Sequence, residues 1–411
     1  MLVVKMILDR FRRISKLDVI CILLLSTITT IVRLFLIWNA PFMYAQDAYR
    51  YLSEARDFAS SGTIQFRTGT TFVLFLAAFL KIFGPVLGEI FASRLLMLIT
   101  SSLLVIILYF FGLRMSGRSL GLLVAIAATF EPIFLEYSIV PYTESFAISM
   151  GLIALYFAAS DKKLPTILAP IFFYLAILTR LELYFPLLIP ILVFCFYKKL
   201  KIRSKQGVTR ARLITSFVLT TLVYLIPFIG LYQYGLSWGS IGIVERFALF
   251  LKPDLLKITV ESSFRFYDQQ FLNQTIYVFV GLGIALALLN IVADVKFKKT
   301  GKTFPILIRY KRAESIKDAL FSDNVVTAFS LFLVFAIYVV FLTVLGFSYE
   351  WAFYVAPSDM ANLDILSKAL IIIPRLHERY LILPRLLISY PLAYTLSVVV
   401  QKVYAEIGRQ K

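Results

Sequence analysis

Long apolar segments separated by short polar ones run through the chain from residue 17 to residue 400. A helix that spans a bilayer needs about 20 predominantly apolar residues. Ten segments approach that length, with approximate bounds 17–38, 89–113, 119–139, 143–160, 164–180, 183–197, 213–234, 272–293, 324–346 and 379–400. Residues 1–411 are therefore predicted to form a single all-α, polytopic integral membrane domain without a separate soluble domain.

Two further helices are predicted between the first two spans. Between Gln46 and Phe58, apolar residues recur at the i, i+3, i+4, i+7 spacing of an amphipathic helix that lies on a membrane surface. Asp47 stands in its first turn, where an aspartate often caps a helix. The alternative is that Asp47 is a carboxylate held at the surface as a base. Residues 70–83 are apolar but short, which favours a second surface or re-entrant helix.

Basic residues are distributed unevenly among the segments that connect the spans. If the N-terminus is inside, 27 of the 42 Lys and Arg residues fall in inner segments and the C-terminal tail. This follows the positive-inside rule and accounts for most of the net charge of +18. The basic stretch 198–205 is thus interpreted as a solvated inner loop facing anionic headgroups, not as a nucleic-acid site. The longer outer segments are 39–88, 235–271 and 347–378.

Several other classes of protein are disfavoured. Cys21 and Cys195 both lie in apolar segments, so neither a disulfide framework nor a zinc site is indicated. The basic N-terminal arm precedes an apolar segment that is too long for a signal peptide and lacks a cleavage site, so we expect a retained anchor. The chain has neither a phosphate-binding glycine-rich loop for ATP nor a visible internal repeat.

Charged residues lie near the outer ends of the predicted spans or, for Arg180 and Glu182, in the turn between the fifth and sixth spans. They are Arg33, Arg94, Glu131, Glu136, Glu144, Arg180, Glu182 and Arg379. Any one of them could extend to the headgroups, but buried charge is costly unless it is paired or lines a wet cavity. Opposite charges converging on one leaflet therefore predict a polar cavity open to the outer face.

The turn at residues 179–182 supports this cavity. Residues 164–197 must cross the membrane twice with 34 residues, where two full spans need about 40. The turn is therefore expected below the outer surface, where irregular backbone is tolerated only against protein or a water-filled cavity. Arg180 would then point into the same site as Asp47, unless it forms a structural pair with Glu182.

Five short motifs occur in order along the chain. They are Asp47-Ala48-Tyr49, Arg94-Leu95, Tyr137-Ser138 with Thr143-Glu144, Thr179-Arg180-Leu181-Glu182, and His377-Glu378-Arg379-Tyr380 with Pro384. Together they resemble the GT-C glycosyltransferases, in particular the branch that uses polyprenyl- or dolichyl-phosphate sugars. That branch includes protein O-mannosyltransferases and the aminoarabinose transferase that modifies lipid A. The resemblance covers roughly residues 17–200 and 375–395.

The resemblance implies a donor, an acceptor and a site. In this family an essential Asp lies on a juxtamembrane helix of the first outer loop, as Asp47 would. The enzymes pass sugar from a lipid phosphate carrier to an acceptor at the outer or lumenal face, here a lipid, glycan or protein. We expect the plasma membrane of a prokaryote rather than the endoplasmic reticulum.

The chain also departs from the family pattern. Protein O-mannosyltransferases carry an Asp-Glu pair where this chain has Asp47-Ala48, so a second acid in that loop is in doubt. No Asp-x-Asp sequence occurs, and the tryptophan-rich signature and large soluble domain of oligosaccharyltransferases are missing. Acidic residues could supply oxygen ligands for a divalent metal, but their spacing does not indicate one.

The chemistry assigns roles to individual residues. Displacing a polyprenyl phosphate from an anomeric carbon needs a base for the acceptor hydroxyl and positive charge for the departing phosphate. Asp47 is the candidate base, and Tyr380 could donate a hydroxyl hydrogen bond. The candidates for the phosphate are Arg94, Arg180 and Arg379, because guanidinium matches phosphate oxygens bidentately. His377, the only histidine, is more typical of a surface or packing residue.

Two other classes of function use the same residues. A transporter or flippase for an anionic lipid-linked sugar would bind with the same arginines but break no bond. A ligase or polymerase would join lipid-linked glycans. Asp47 favours an enzyme, because a carrier of anions has little use for a carboxylate facing its substrate.

Overall fold

The structure is a computed structural model that describes residues 16–39, 46–63, 69–160, 163–180, 183–206, 210–233, 281, 283, 323–354 and 381–409. These residues are mainly helical and include no strand. The helices are α1 Lys16–Asn39, α2 Gln46–Ser61, α3 Thr70–Leu87, α4 Glu89–Ser116, α5 Arg118–Thr129, α6 Pro132–Tyr137, α7 Thr143–Ala159, α8 Lys163–Thr179, α9 Tyr184–Gln206, α10 Arg210–Gln233, α11 Asp323–Tyr354 and α12 Ile382–Arg409. The all-helical class is therefore confirmed for the described part of the chain.

Three of these helices, α1, α3 and α4, are long and apolar enough to cross a membrane. The apolar parts of α5 and α7–α12 are shorter, at 10–17 residues. The membrane character is thus supported, while the number of ten spans stays a prediction. The predicted span 272–293 lies outside the described residues, apart from Gly281 and Gly283.

Two predicted boundaries differ from the structure. The span predicted at 119–139 is interrupted after Thr129, because Pro132 has no N–H to continue the helix and Glu131 caps the new one. The basic stretch predicted as a loop at 198–205 instead continues α9 to Gln206. Lysine, arginine and leucine are good helix formers, which favours this extension.

The helices α4 and α7 pack side by side and define two opposite ends of the bundle. α4 and α7 run parallel, since Ser149 Oγ donates to the Thr100 carbonyl oxygen at 3.0 Å and Arg114 donates to the Ala159 carbonyl oxygen at 2.7 Å. We call the end containing Arg114, Arg118 and Lys198 the basic end. The opposite end, where α1 finishes and α4 and α7 begin, is the site end.

The basic end is held by polar contacts among α1, α4 and α5. Asp18 is buried, accepts a hydrogen bond from the Tyr109 hydroxyl at 2.9 Å, and pairs with Arg118 at 2.6 Å. The backbones of α4 and α5 also touch: a Cβ on Gly112 would lie 2.6 Å from Cα of Gly121. Small residues allow this close approach, which is typical of helix contacts inside membranes.

α3 has both of its ends at the site end. Phe72 and Phe75, in its first turns, pack against Phe146 in the first turn of α7, with ring centroids 5.8 and 5.0 Å apart. Gly88 alone joins the other end of α3 to the start of α4. The helix predicted at residues 70–83 runs on to Leu87. Its surface or re-entrant placement stays a prediction, since α3 is also long and apolar enough to cross a membrane.

Candidate functional site

A buried ion pair lies at the centre of the site end. α8 finishes at Thr179, and Arg180 directly after it pairs with Glu144 in the first turn of α7. The Glu144 side chain is 3% exposed and the Arg180 side chain 13%. The structure thus brings together two predicted site residues that are far apart in sequence, and it gives Arg180 a partner other than Glu182. Glu182 itself lies outside the described residues.

Tyr51 places the amphipathic helix α2 against this ion pair. Its side chain is buried, it meets Phe72 edge to face at a centroid distance of 5.7 Å, and its hydroxyl is hydrogen-bonded to Thr143. Burial raises the pKa of Tyr51, while the positive charge of Arg180 acts in the opposite direction. Tyr51 is one of the residues whose i, i+3, i+4, i+7 spacing predicts the apolar face of this helix. Its hydroxyl instead lies within electrostatic reach of Arg180 and Glu144.

The conformation of Tyr51 is fixed from two further sides. The Arg50 guanidinium carbon lies 4.8 Å from the centre of its ring. Gly69 adopts a φ of 95°, and a Cβ there would come within 2.8 Å of the Tyr51 ring. A larger residue at position 69 would therefore be strained and would also push the ring away from the ion pair.

Asp47 lies one helical turn before Tyr51, so the two residues share a face of α2. Its side chain is 33% exposed and pairs with Arg50 at 3.7 Å. Arg50 also approaches Glu54 at 3.7 Å. Because α2 begins at Gln46, Asp47 lies inside the first turn and not at the capping position. The predicted juxtamembrane helix is confirmed as a helix, and its acidic residue is accessible.

Two buried arginines lie near the end of α1: Arg33 belongs to α1 itself, and Arg94 reaches it from α4. Arg94 is buried, and its Nη1 donates to the Ile37 carbonyl oxygen at 2.9 Å. Arg33 is 0% exposed and lies over the ring of Phe134 at 4.8 Å. Arg94 therefore binds a backbone carbonyl near the end of α1, a contact that also stabilises the negative end of that helix.

A second ion pair at the site end was missed by the sequence analysis. Arg385, in the first turn of α12, lies 3.1 Å from Glu131. Glu131 also accepts the N–H of Phe134 at 2.5 Å and so caps α6. Arg385 directly follows Pro384 inside the predicted span 379–400. A charged residue inside an apolar span is a sequence feature from which Arg385 could have been predicted as a site residue. Glu136, predicted for the cavity, is exposed on α6.

The remaining predicted site residues cannot be placed in this cluster. Arg379, Tyr380 and His377 lie outside the described residues. Within the described part of the chain, no three His, Cys, Asp or Glu side chains form a group that could hold a metal ion. The acidic residues at the site end instead face guanidinium groups: Asp47 faces Arg50, and Glu144 faces Arg180.

Comparison with known proteins does not identify a family for this chain. No protein-family model matches the chain, and a search of the curated proteins finds no similar sequence. Functional inference for this protein therefore depends on the ordered motifs and on the geometry of the site end.

Proposed function

We propose that the protein is a membrane glycosyltransferase that moves a sugar from a polyprenyl- or dolichyl-phosphate carrier to an acceptor hydroxyl at the outer face. One observation carries the proposal. Tyr51 of α2 is hydrogen-bonded to Thr143 and lies within electrostatic reach of the Arg180–Glu144 pair, and the partly exposed Asp47 lies one turn before Tyr51 on the same helix. A base beside a phosphate-binding cation is what such a transfer requires.

The proposed reaction is a single displacement. The acceptor oxygen attacks the anomeric carbon and forms the new glycosidic bond, while the bond from that carbon to the carrier phosphate breaks. The phosphate oxygen leaves with the bonding electron pair, and Asp47 takes the proton of the acceptor hydroxyl. The configuration at the anomeric carbon is inverted. A guanidinium beside the phosphate stabilises the developing negative charge.

The electrostatics of Arg180 fit a leaving-group site. Glu144 is buried and holds the Arg180 side chain in one position, so the guanidinium needs little reorganisation when a phosphate arrives. Arg180 keeps some exposure, whereas Glu144 has almost none. Glu144 is therefore assigned the positioning of Arg180, and Arg180 the contact with phosphate.

The proposed orientation places the site end at the outer face. The basic end contains Arg114, Arg118 and Lys198, together with the basic continuation of α9. Basic residues concentrate on the cytoplasmic side of membrane proteins. The proposed location is the plasma membrane of a prokaryote.

The experiment that tests the function is a transfer assay with the purified full-length protein. Radiolabelled polyprenyl-phosphate sugars are supplied with lipid, glycan and protein acceptors, and both transferred sugar and released carrier phosphate are measured. Transfer that depends on Asp47 supports the proposal. Movement of an intact lipid-linked sugar across vesicles without bond cleavage would instead identify a flippase. Joining of two lipid-linked glycans would identify a ligase.

A further inference from the structure

The guanidinium of Arg33 is buried without a matching anion. Its Nη1 reaches the Thr29 carbonyl oxygen only at 3.4 Å, longer than a usual N–H···O hydrogen bond. Its Nε and Nη2 have no hydrogen-bond partner, and no ion pair joins it to a carboxylate within the described part of the chain. A buried charge in this state is costly, above all in a membrane protein.

The two unpartnered nitrogens are next to each other. Nε and Nη2 lie on the same edge of the guanidinium, the edge that can donate two parallel hydrogen bonds to two oxygens of one phosphate or carboxylate. Thr29 and Thr129 lie beside it and share a hydrogen bond of 3.1 Å between their hydroxyls. The Thr129 hydroxyl donates to the Ala125 carbonyl oxygen at 2.8 Å, so Thr29 is the donor in the shared bond, and its hydroxyl can rotate to donate to an added oxyanion.

The surroundings of Arg33 are electropositive. Ile37 follows Arg33 by one turn, about 6 Å along α1, and accepts its hydrogen bond from the buried Arg94. Two acids lie near the covering Phe134 in sequence. Glu136 is exposed, and Glu131 is already engaged with Arg385 and with the first turn of α6. A negatively charged ligand would therefore neutralise the buried charge of Arg33 and satisfy its free N–H groups.

We propose that Arg33 is a further guanidinium contact for a phosphate group at the site end, in addition to Arg180, in a subsite between α1 and the short helix α6. Arg33 takes this role in preference to Arg94, whose Nη1 is bound to a carbonyl oxygen, and it acts alongside Arg180, which already faces a carboxylate. The choice of a lipid phosphate rests on the proposed function. The shared chemistry is a phosphate oxyanion, which a carrier lipid, a phospholipid headgroup or free phosphate could supply. Because Phe134 covers the guanidinium, entry requires displacement of α6.

The test measures phosphate binding by the purified full-length protein in detergent, from the shift in thermal unfolding temperature. Three probes are titrated separately: polyprenyl monophosphate, phosphatidylglycerol and inorganic phosphate. A probe that binds the folded protein raises the melting temperature in a saturable way. We expect this rise with polyprenyl monophosphate. A response only to the phospholipid or to inorganic phosphate would keep Arg33 as the phosphate contact but change the source of the ligand.

Variants of Arg33 separate binding from a structural role. Arg33→Met removes an unpartnered charge, so the melting temperature without probe should stay the same or rise, while affinity for the probe falls by about 10- to 100-fold. Arg33→Lys keeps the charge but loses the fork, and it should weaken binding by about tenfold. Arg114→Met, which removes an arginine at the basic end, is the matched control and should leave affinity for the probe unchanged.

Each result counts for or against the inference. Unchanged affinity for the probe in both Arg33 variants would overturn the inference, and so would an equal loss of affinity in Arg114→Met. The inference would also fail if no probe raised the melting temperature of the unsubstituted protein. If Arg33→Met does not fold, Arg33→Lys decides. Binding that depends on Arg33 in a protein that transfers no sugar would refute the proposed function but keep the phosphate subsite. Sugar transfer with full carrier affinity in Arg33→Met would refute the subsite alone.

Discussion

Replacing Asp47 by Asn tests whether this carboxylate acts in the chemical step. The substitution keeps the size of the side chain and removes its charge. We expect carrier binding and folding to persist while sugar transfer falls by about 10²- to 10⁴-fold, the usual contribution of a general base. This loss corresponds to about 2.7–5.4 kcal/mol in activation free energy.

The structure allows the effect on stability to be bounded. Asp47 is one-third exposed and pairs with Arg50 at 3.7 Å, so the pair contributes about 0.2–1 kcal/mol to stability. The position in the first turn of α2 adds about 0.3–1 kcal/mol through the helix dipole. Both together are small beside the roughly 5–15 kcal/mol that keeps a domain folded. A large loss of transfer therefore could not be attributed to unfolding.

The assay is single-turnover transfer with excess enzyme, measured on the same preparation as carrier binding and thermal unfolding. Asp57→Asn is the matched control, because Asp57 is an exposed aspartate on the same helix. It should leave transfer near the unsubstituted rate. Near-normal transfer by Asp47→Asn would refute the assignment of the base and would favour the transporter. An equal loss in Asp57→Asn would attribute the effect to the charge of α2 as a whole.

Three further predictions concern the cation, the packing and the orientation. Arg180→Lys should lower the transfer rate and carrier affinity with folding intact, because lysine lacks the planar fork, and wild-type rates would make Arg180 purely structural. Gly112→Ala should lower the unfolding temperature, since its Cβ would fall 2.6 Å from the facing backbone, whereas Gly84→Ala meets no atom within 4 Å and should not. In intact cells, a cysteine introduced at Ser240 should react with an impermeant thiol reagent and one at Ser204 should not; the reverse would invert the proposed orientation.

Several elements follow from the sequence because their causes are local. The segments predicted at 143–160 and 164–180 match α7 and α8 closely, since a continuous apolar run needs backbone hydrogen bonds that only a helix supplies within one segment. The amphipathic spacing after residue 46 likewise became α2. The depth of the turn after Thr179 below the outer surface, inferred because two full spans do not fit in 34 residues, stays a prediction.

The partners of the charged residues were decided by tertiary structure. The sequence placed Arg180, Glu144 and Asp47 at one end of the bundle, with a structural pair between Arg180 and Glu182 as the alternative role for Arg180. The structure pairs Arg180 with Glu144 and inserts Tyr51 beside them. Hydropathy indicates which segments form helices, because each segment must satisfy its own backbone. Their exact ends also depend on local residues, such as Pro132, which interrupts one predicted span. Which helix ends meet depends on side-chain packing between segments far apart in the chain. Such contacts leave no repeating pattern in the sequence from which they could be predicted.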